Sequence, residues 1–598
     1  MPTPANAPTG RWTGHHVLAL RTAAGLPGKD FATALGLSWR YIQIWENDPG
    51  AIIGPIAEAV LDDFLTRADR QTRAAFHALL AQTGCPCHPP RSESRPPATA
   101  PHSWASPPTI PAQRKEPPNT MTSTVHHDPL RQPYRGLINL HRPHFVGIGS
   151  SSMSTLARIC AQRGSLVSGS DNTDTPQLAA LRAAHCRVEL GHDPIHIHGA
   201  SCVVYTSATA ANPEVEAARA AGIPVVHHAH ALGALADGRR LLAVAGTHGK
   251  STTTGMLAAA LTKLGADPTY AIGADLHAPG SGAHYGNGRL LLAEADESDR
   301  TFQLLTPELA IITGIHHDHP DTYTDLIDHI DAYTAFASNI RPGGMLIINA
   351  DNPSALEVAG RLREQNQPVA IASYGKADHA TVRILRMRRT DWTMRVEVRR
   401  GDQEVEFTLA TPSVAHAHNA VAALTALTEL DYPLDDAAAG LSTFTGVDRR
   451  FTHVGEGGGR TIIDSHAVHP DQITADLDTA DALAGNRNVL VVFQPSDHCR
   501  VAAFADHIAH AVTTGADKII LLDIHGHAIP SSGVSRQTMA DAITAAGGTS
   551  YQAAPGSLAD LVTTLTEPGD IVVTMGGDVT HHAHAILNHL RQRTTSAG

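Results

Sequence analysis

Two stretches of this chain carry residues suited to chemistry on phosphate. Gly246-Thr247-His248-Gly249-Lys250-Ser251-Thr252 follows the apolar run Leu241–Ala245 and precedes a helical run from Met256 to Gly265. Glycines let backbone N–H groups turn onto phosphate oxygens, and a helix N-terminus behind them adds a favourable dipole. Lys250 is placed to neutralise β/γ-phosphate charge, and the Ser251 hydroxyl to reach Mg2+. The common eight-residue phosphate loop needs glycine at position 244; Val244 stands there, so this loop is a shortened variant. A Gly-Lys-Ser triplet alone is weak, but strand, loop and helix together favour a nucleotide triphosphate over a structural turn.

Two acidic clusters follow. Ala293–Asp299 ends an apolar run with four carboxylates (Glu294, Asp296, Glu297, Asp299), and Ile311–Asp321 ends another with a His/Asp group. Carboxylates at the C-terminal ends of parallel strands beside a phosphate loop are where Mg2+ ligands belong. A solvated acidic loop would explain one such cluster more readily than two.

The elements that must hold these residues repeat. From Pro143 onward apolar strands alternate with amphipathic helices, the pattern of parallel α/β sheets. Candidate strands are HFVGIG, LVSGSD, SCVVYTSA, LLAVAGT, LLLAEADES, LAIITGI, GMLIINAD, RTIIDSH, NVLVVFQ, KIILLDI and DIVVTMGG. With 598 residues the chain exceeds one core, so several domains are expected. Apolar residues at 42% and charged residues at 17% describe a soluble globular protein, and a formal charge of -13 argues against wholesale nucleic-acid coating. Six cysteines do not make a disulfide framework, no stretch approaches a membrane span, and the N-terminus lacks an apolar leader; a cytoplasmic protein is expected.

In order and spacing, HFVGIGSSSMS, SGSD, AGTHGKSTTT, AEADESD, HHDHPDTY, GVDRRF, AVHP, FQP and PGDIVVTMGGD resemble the Mur ligase family over residues 140–598, nearest its UDP-N-acetylmuramate–L-alanine ligase branch. The resemblance implies a Rossmann-like UDP-sugar domain (139–238), a central P-loop ATPase domain (239–448) and a C-terminal Rossmann-like domain (449–598). It also implies ATP and Mg2+ as cofactors, a UDP-sugar carboxylate and an amino acid as substrates, and an amide formed through an acyl phosphate. By that match Lys250, Glu294 and His319 are catalytic, and Ser251, Glu294 and His319 organise metal. Gly246, Thr247, His248, Gly249, Lys250, Ser251, Thr252, Asn419 and Arg450 hold nucleotide. Gly147, Gly149, Ser150, Asp171, Ser207, His469 and Arg500 face substrate, Arg500 as a clamp for a carboxylate.

The departures fall on functional motifs. Ser150 and Ser152 stand where the family places further glycines, and Gly314 replaces an asparagine. Ala415-His416-Ala417-His418-Asn419 keeps only the last Asn of the family's His-Asn-x-x-Asn. Asp464-Ser465-His466-Ala467-Val468-His469-Pro470 loses the second Asp and one His of Asp-Asp-Tyr-x-His-His-Pro, and Ser496 and His498 follow FQP in place of a His and an aromatic. Each lost polar group commonly removes about 2–4 kcal/mol of transition-state stabilisation, so reduced or redirected activity is expected.

Residues 1–82 read as short helices, with 17–48 resembling a Cro/repressor helix-turn-helix. Its recognition helix would carry Trp39, Arg40 and Gln43 outward and Ile42 and Trp45 inward, so DNA is a candidate partner of residues 1–82. Seven basic residues balance seven acidic ones over residues 1–80, which is poor electrostatics for DNA; a small protein-interaction bundle is the equal alternative. Residues 83–138 are a Pro-rich linker, where Cys85-Pro86-Cys87-His88 has no second ligand pair for a metal knuckle and Met121 is an equally acceptable start. Three functions stay open at this point: the muramate–alanine ligase, a paralogous ligase joining another acid and amine, and a DNA-binding regulator with a ligase-derived sensor body.

Overall fold

A computed structural model of the chain describes residues 13–35, 70–82, 138–526, 533–554 and 556–596, with six isolated positions between 42 and 68. The chain divides into two compact units, Met1–Pro129 and Leu130–Gly598.

In the first unit the helices Gly14–Ala24, Gly28–Leu35 and Arg70–Gln82 share a core that includes Val17, Leu20, Phe31, Leu61 and Phe76. Gly25 closes the first helix at φ 65°, a left-handed cap that suits glycine. Ile42 is buried in the same core. Trp39, Arg40, Gln43 and Trp45 lie outside the described residues, as does the stretch 83–137 with Cys85, Cys87, His88 and Met121.

Among the described residues the second unit contains three sheets. The first runs β1 (Pro143–Val146), β2 (Ser168–Asp171), β3 (Arg187–Leu190), β4 (Cys202–Tyr205) and β5 (Val225–His227), all parallel in spatial order β3-β2-β1-β4-β5. Strand order reverses beside β1, and the crevice beyond it opens at the Gly147–Ser150 loop, where such sheets bind ligands.

The central sheet comprises β6 (Arg240–Ala245), β7 (Thr269–Ala271), β8 (Ala283–His284), β9 (Leu290–Glu294), β10 (Leu309–Ile312), β11 (Met345–Asn349), β12 (Ala370–Gly375), β13 (Val382–Thr390), β14 (Thr393–Arg400) and β15 (Gln403–Leu409). Their spatial order is β15-β14-β13-β12-β11-β10-β6-β9-β7-β8. β6 lies between β9 and β10, parallel to both, so the phosphate loop and the two acidic strand ends emerge side by side. Helices Lys250–Lys263 and Val414–Glu429 pack on one face through Met256, Leu257, Leu261, Val421 and Leu424.

The sequence reading expected only parallel strands here. β13, β14 and β15 instead pair antiparallel, and β8 pairs antiparallel with β7. The alternation that betrays the first three is visible in Val382-Arg383-Ile384, where buried and half-buried positions alternate, as in a sheet with one wet face. The C-terminal sheet has β16 (Thr452–Gly457), β17 (Arg460–Ser465), β18 (Val489–Gln494), β19 (Lys518–Leu521), β20 (Ser550–Tyr551) and β21 (Ile571–Gly576), ordered β16-β17-β21-β18-β19-β20. Only β16 runs antiparallel to its neighbour. Among the described residues no helix is long and apolar enough to cross a membrane.

Candidate active site

The phosphate loop turns where only glycine fits. At Gly249, φ 83°, a Cβ would sit 2.4 Å from Asn419 Oδ1; at Gly246, φ 133°, it would meet Thr313 Oγ1 at 2.0 Å. Thr247 fastens the loop to the end of β10: its N–H donates to Gly314 O (2.9 Å), and its hydroxyl accepts from the His316 N–H (2.9 Å). The helix Lys250–Lys263 starts directly behind, with Ser251 and Thr252 buried in its first turn.

Lys250 Nζ donates to Glu297 Oε2 at 2.7 Å and to Gly246 O at 3.0 Å. Burial lowers the affinity of this amine for its proton, but the Glu297 and Asp296 carboxylates outweigh that and hold Lys250 cationic. Glu297 is fully buried, and Tyr323 Oη donates to its carbonyl at 2.6 Å, which locks the backbone behind it. Burial raises the Glu297 carboxyl above its usual range against the pull of Lys250. Four carboxylates in AEADESD were visible beforehand; which one meets the lysine was not. Glu297 is therefore a site residue that the sequence reading missed.

Glu294 ends β9, and its Oε1 accepts the Gly273 N–H at 2.7 Å; burial raises its pKa as well. His319, held at φ 49°, brings Nε2 to 3.9 Å from Glu297 Oε1. That oxygen is buried without a hydrogen-bond partner among the described residues. An orphaned carboxylate oxygen, the Glu294 carboxylate and the Ser251 hydroxyl together suit a hard divalent cation such as Mg2+, with His319 at the margin.

Arg450 comes from just before β16 and reaches into this site: its Nη2 donates to Ser251 Oγ at 3.4 Å. Burial lowers its pKa, and Glu294 works in the opposite direction. Asn419, from the helix Val414–Glu429, packs on Gly249. Together with the phosphate loop, His416, Ser465, His466 and Asp476, these residues line a cleft of about 280 Å3. His416 and His466 are held neutral, pushed down to about 4 and about 3, in each case by burial and then by Arg450.

A second cleft, about 480 Å3, runs from Lys250, Glu294 and His319 to Ser151 and Ser152 of the first sheet's loop and to Ser496 and Arg500. Arg500 was expected to clamp a substrate carboxylate. In the structure its Nε donates to Asp318 Oδ1 at 2.8 Å, with both side chains buried, so the clamp is made with the chain's own carboxylate. Burial would raise Asp318; Arg500 overrides it and holds the carboxyl far below the usual range.

Gly147 (φ 76°) and Gly149 begin the first loop. Gly149 N–H donates to Asp171 Oδ2 at 2.9 Å, and a Cβ there would stand 2.5 Å from Leu178 Cδ1. Ser150 caps the helix Ser151–Gln162 by its backbone conformation, without a side-chain bond. Ser152 is exposed, so its bulk meets the cleft rather than a packed helix. Ser207 Oγ donates to Asp299 Oδ2 at 2.8 Å, joining the first sheet to the acidic loop. His469 is the outlier of the expected substrate group. It caps the helix Pro470–Ala484, and its ring lies 4.8 Å from that of His248, on the phosphate-loop side. His248, His469 and Asp471 offer ligand atoms within 4.8 Å of one another, but both His469 nitrogens are engaged, with His317 O and the Asp471 N–H.

Three family models match in chain order: the Mur ligase family catalytic domain over 142–240, the Mur ligase middle domain over 244–427, and the Mur ligase glutamate ligase domain over 449–577. A UDP-N-acetylmuramate–L-alanine ligase of Streptomyces griseus is 41% identical over 458 residues, 75% of this chain and 97% of that protein. One from Streptomyces coelicolor is 42% identical over 457 residues, 75% and 98% respectively. The crystal structure of UDP-N-acetylmuramate-alanine ligase from Thermotoga maritima shares the fold at TM-score 0.64 and 24% identity, covering 76% of this chain and 100% of that one. The chain belongs to the Mur ligase family.

Proposed function

We propose that the chain is an ATP-dependent ligase that joins UDP-N-acetylmuramate to L-alanine for peptidoglycan synthesis. The observation that carries this is the placement of Lys250, Glu294, Glu297 and His319 around one point, where the nucleotide cleft meets the cleft leading to the first loop. That meeting point suits transfer of a γ-phosphoryl group to a carboxylate. The acid oxygen attacks the γ-phosphorus, and ADP leaves. The resulting acyl phosphate then loses phosphate to an attacking amine, so one ATP is consumed per amide.

A carboxylate is a poor acyl donor, and phosphorylation makes one oxygen a leaving group. Lys250, Arg450 and the helix N-terminus at Lys250 oppose the charge spread over the moving phosphoryl group, while the glycine loop aligns it. Mg2+, when bound, neutralises phosphate oxygens; Ser251, Glu294 and Glu297 are the residues to hold it. The first loop (Gly147, Gly149, Ser150, Asp171) would seat the UDP-sugar. The Arg500–Asp318 pair would order the amine side. Boundaries at 238/239 and 448/449 belong to this proposal, supported by each sheet lying wholly within one segment.

The test is phosphate release by the full chain with UDP-N-acetylmuramate, L-alanine, ATP and Mg2+, with the amide product weighed by mass spectrometry. No product from this pair, with a better rate from another acid and amine, would transfer the assignment to a paralogous ligase.

A further inference from the structure

The motif at the end of β17 has lost a carboxylate at Ser465, yet a carboxylate still faces the nucleotide cleft. Asp464, the one acid left in the motif, points away from it: Thr574 Oγ1 donates to its Oδ1 at 3.0 Å and Thr580 Oγ1 to its Oδ2 at 2.7 Å. Both its oxygens are therefore held within the C-terminal sheet and its last helix. Ser465 is buried and accepts the Ala467 N–H at 3.1 Å. Its hydroxyl hydrogen goes to Asp476 Oδ2, eleven residues on and two turns into the helix Pro470–Ala484.

Three carboxylates line this cleft: Glu294, Asp471 and Asp476. Glu294 belongs to the phosphate end, bonded to Gly273. Asp471 is exposed and lies against His316 and His469. Asp476 is half-buried on the remaining wall, with Gln472 and Ala475 on the same helix face. Arg450 connects it electrostatically to the phosphate end, since that guanidinium senses Asp476 and donates to Ser251.

We infer that Asp476, aimed by Ser465, is the acceptor for the ribose hydroxyls of the bound nucleotide, in place of the carboxylate absent at 465. The inference rests on the ligase reading above. An ionised carboxylate accepts hydrogen bonds and donates none, so it must meet O–H or N–H groups of its ligand and be kept from the phosphates. Arg450 senses Asp476 and donates to Ser251, so Asp476 lines the same cleft beyond the phosphate helix's first turn. A carboxylate has two oxygens and a ribose two vicinal hydroxyls. Burial raises the Asp476 carboxyl to about 6 against Ser465 and Arg450, so the acceptor is ionised at neutral pH and fails in mild acid.

The experiment compares ATP with 2′,3′-dideoxy-ATP by calorimetry on the full chain. Hydrogen bonds to a charged acceptor predict that ATP binds about 10- to 100-fold more tightly than the dideoxy nucleotide. Asp476→Asn should remove most of that ratio and leave dideoxy-ATP binding within about twofold. Ser465→Asp combined with Asp476→Ser should restore it, which a merely structural role would not do. In the unaltered chain the ratio should fall towards one as pH drops below about 6. The triphosphates of both nucleotides titrate alike, so the ratio isolates the ribose contact. A wild-type ratio near one, or an Asp476→Asn chain that loses both nucleotides equally, overturns the inference while the ligase assay stands. Binding of neither nucleotide to the unaltered chain overturns the ligase reading and this inference together.

Discussion

The phosphate end of the site and its selecting walls are held in different ways. Around Lys250 every fixing contact comes from the central sheet: Gly246 and Ser251 follow β6, Glu294 ends β9 and Glu297 follows it, and Thr313 and His319 follow β10. Neighbouring strand ends in a packed parallel sheet cannot move apart, so the groups that meet charge are set before any ligand arrives. The walls are assembled across sheets instead, through Arg450 to Ser251, Arg500 to Asp318 and Ser207 to Asp299. Such contacts open if the sheets shift against one another. Most motif substitutions fall on these walls, while the phosphate end keeps Lys250, Ser251, Glu294 and His319 and departs at Gly314. A group lost on a wall can be supplied from another element, as Asp476 is placed to do for Ser465.

The largest break is expected at Lys250. Lys250→Met removes the cation that meets the phosphoryl charge and leaves Glu297 buried without its partner. Activity should fall by about 10^3-fold or more. Unfolding in urea should show a loss of about 3–5 kcal/mol, the usual result of stripping one member from a buried ion pair. Activity lost with stability unchanged would mean that the Lys250–Glu297 contact contributes little to the fold.

Arg500→Gln tests a wall in the same way, with about 2–4 kcal/mol of stability expected to go. The pH dependence carries the sign. In the unaltered chain Asp318 sits far below its unfolded value, so its contribution is complete above about pH 4 and is lost only as pH falls through the lower folded value. Without Arg500, burial is opposed only by His319 and His469, so the folded pKa rises from its low value. The variant's deficit should then be greatest at neutral pH and shrink as the carboxyl takes up its proton towards pH 4. Urea titrations at pH 7 and pH 4.5 measure it; an equal deficit at both would refute the pairing.

Gly249→Ala probes the seam between loop and wall. The new methyl would lie 2.4 Å from Asn419 Oδ1 at φ 83°, so strain of about 1–3 kcal/mol and roughly tenfold weaker ATP binding are expected. Asn419→Ala in the same chain should recover part of the lost stability, read as Tm, by clearing the clash, though the φ strain remains. No recovery would place the whole cost in the backbone.

What the sequence made legible follows the same division. The strand–loop–helix around Lys250 could be read from apolar runs and glycines because local rules govern it. Leu241–Ala245 is apolar throughout and Ile571–Gly576 is so but for Thr574, with every position buried, the mark of parallel strands covered on both faces. β13 to β15 escaped because charged residues occupy their wet face, so no apolar run marks them. Glu297, Asp318 and Asp476 escaped for another reason. Each owes its role to one partner, 47, 182 and 11 residues away respectively, and no local pattern encodes a pairing at such distances. Gly314 marks the opposite error. The amide missing there has a neighbour in Asn352, whose Oδ1 accepts the Ile315 N–H at 3.1 Å and whose Nδ2 would lie 3.5 Å from a Cβ at 314. A substitution scored from the motif alone looked like a loss, although the space beside it already holds an amide.

The smallest effect is expected at Ser207, where the first sheet meets the acidic loop. Its hydroxyl donates to Asp299 at 2.8 Å on an exposed surface, and the same Asp299 accepts at 3.0 Å from the Thr301 N–H. Water can replace the serine there, so Ser207→Ala should cost only about 0.5–1.5 kcal/mol. If the contact forms mainly with the sheets drawn together, the cost falls on UDP-sugar KM, by less than about tenfold, with kcat and Tm nearly unchanged. If the contact is part of the resting fold, Tm falls and KM does not. Measuring both in one variant decides whether this wall is built before the substrate arrives, as the phosphate end is, or around it.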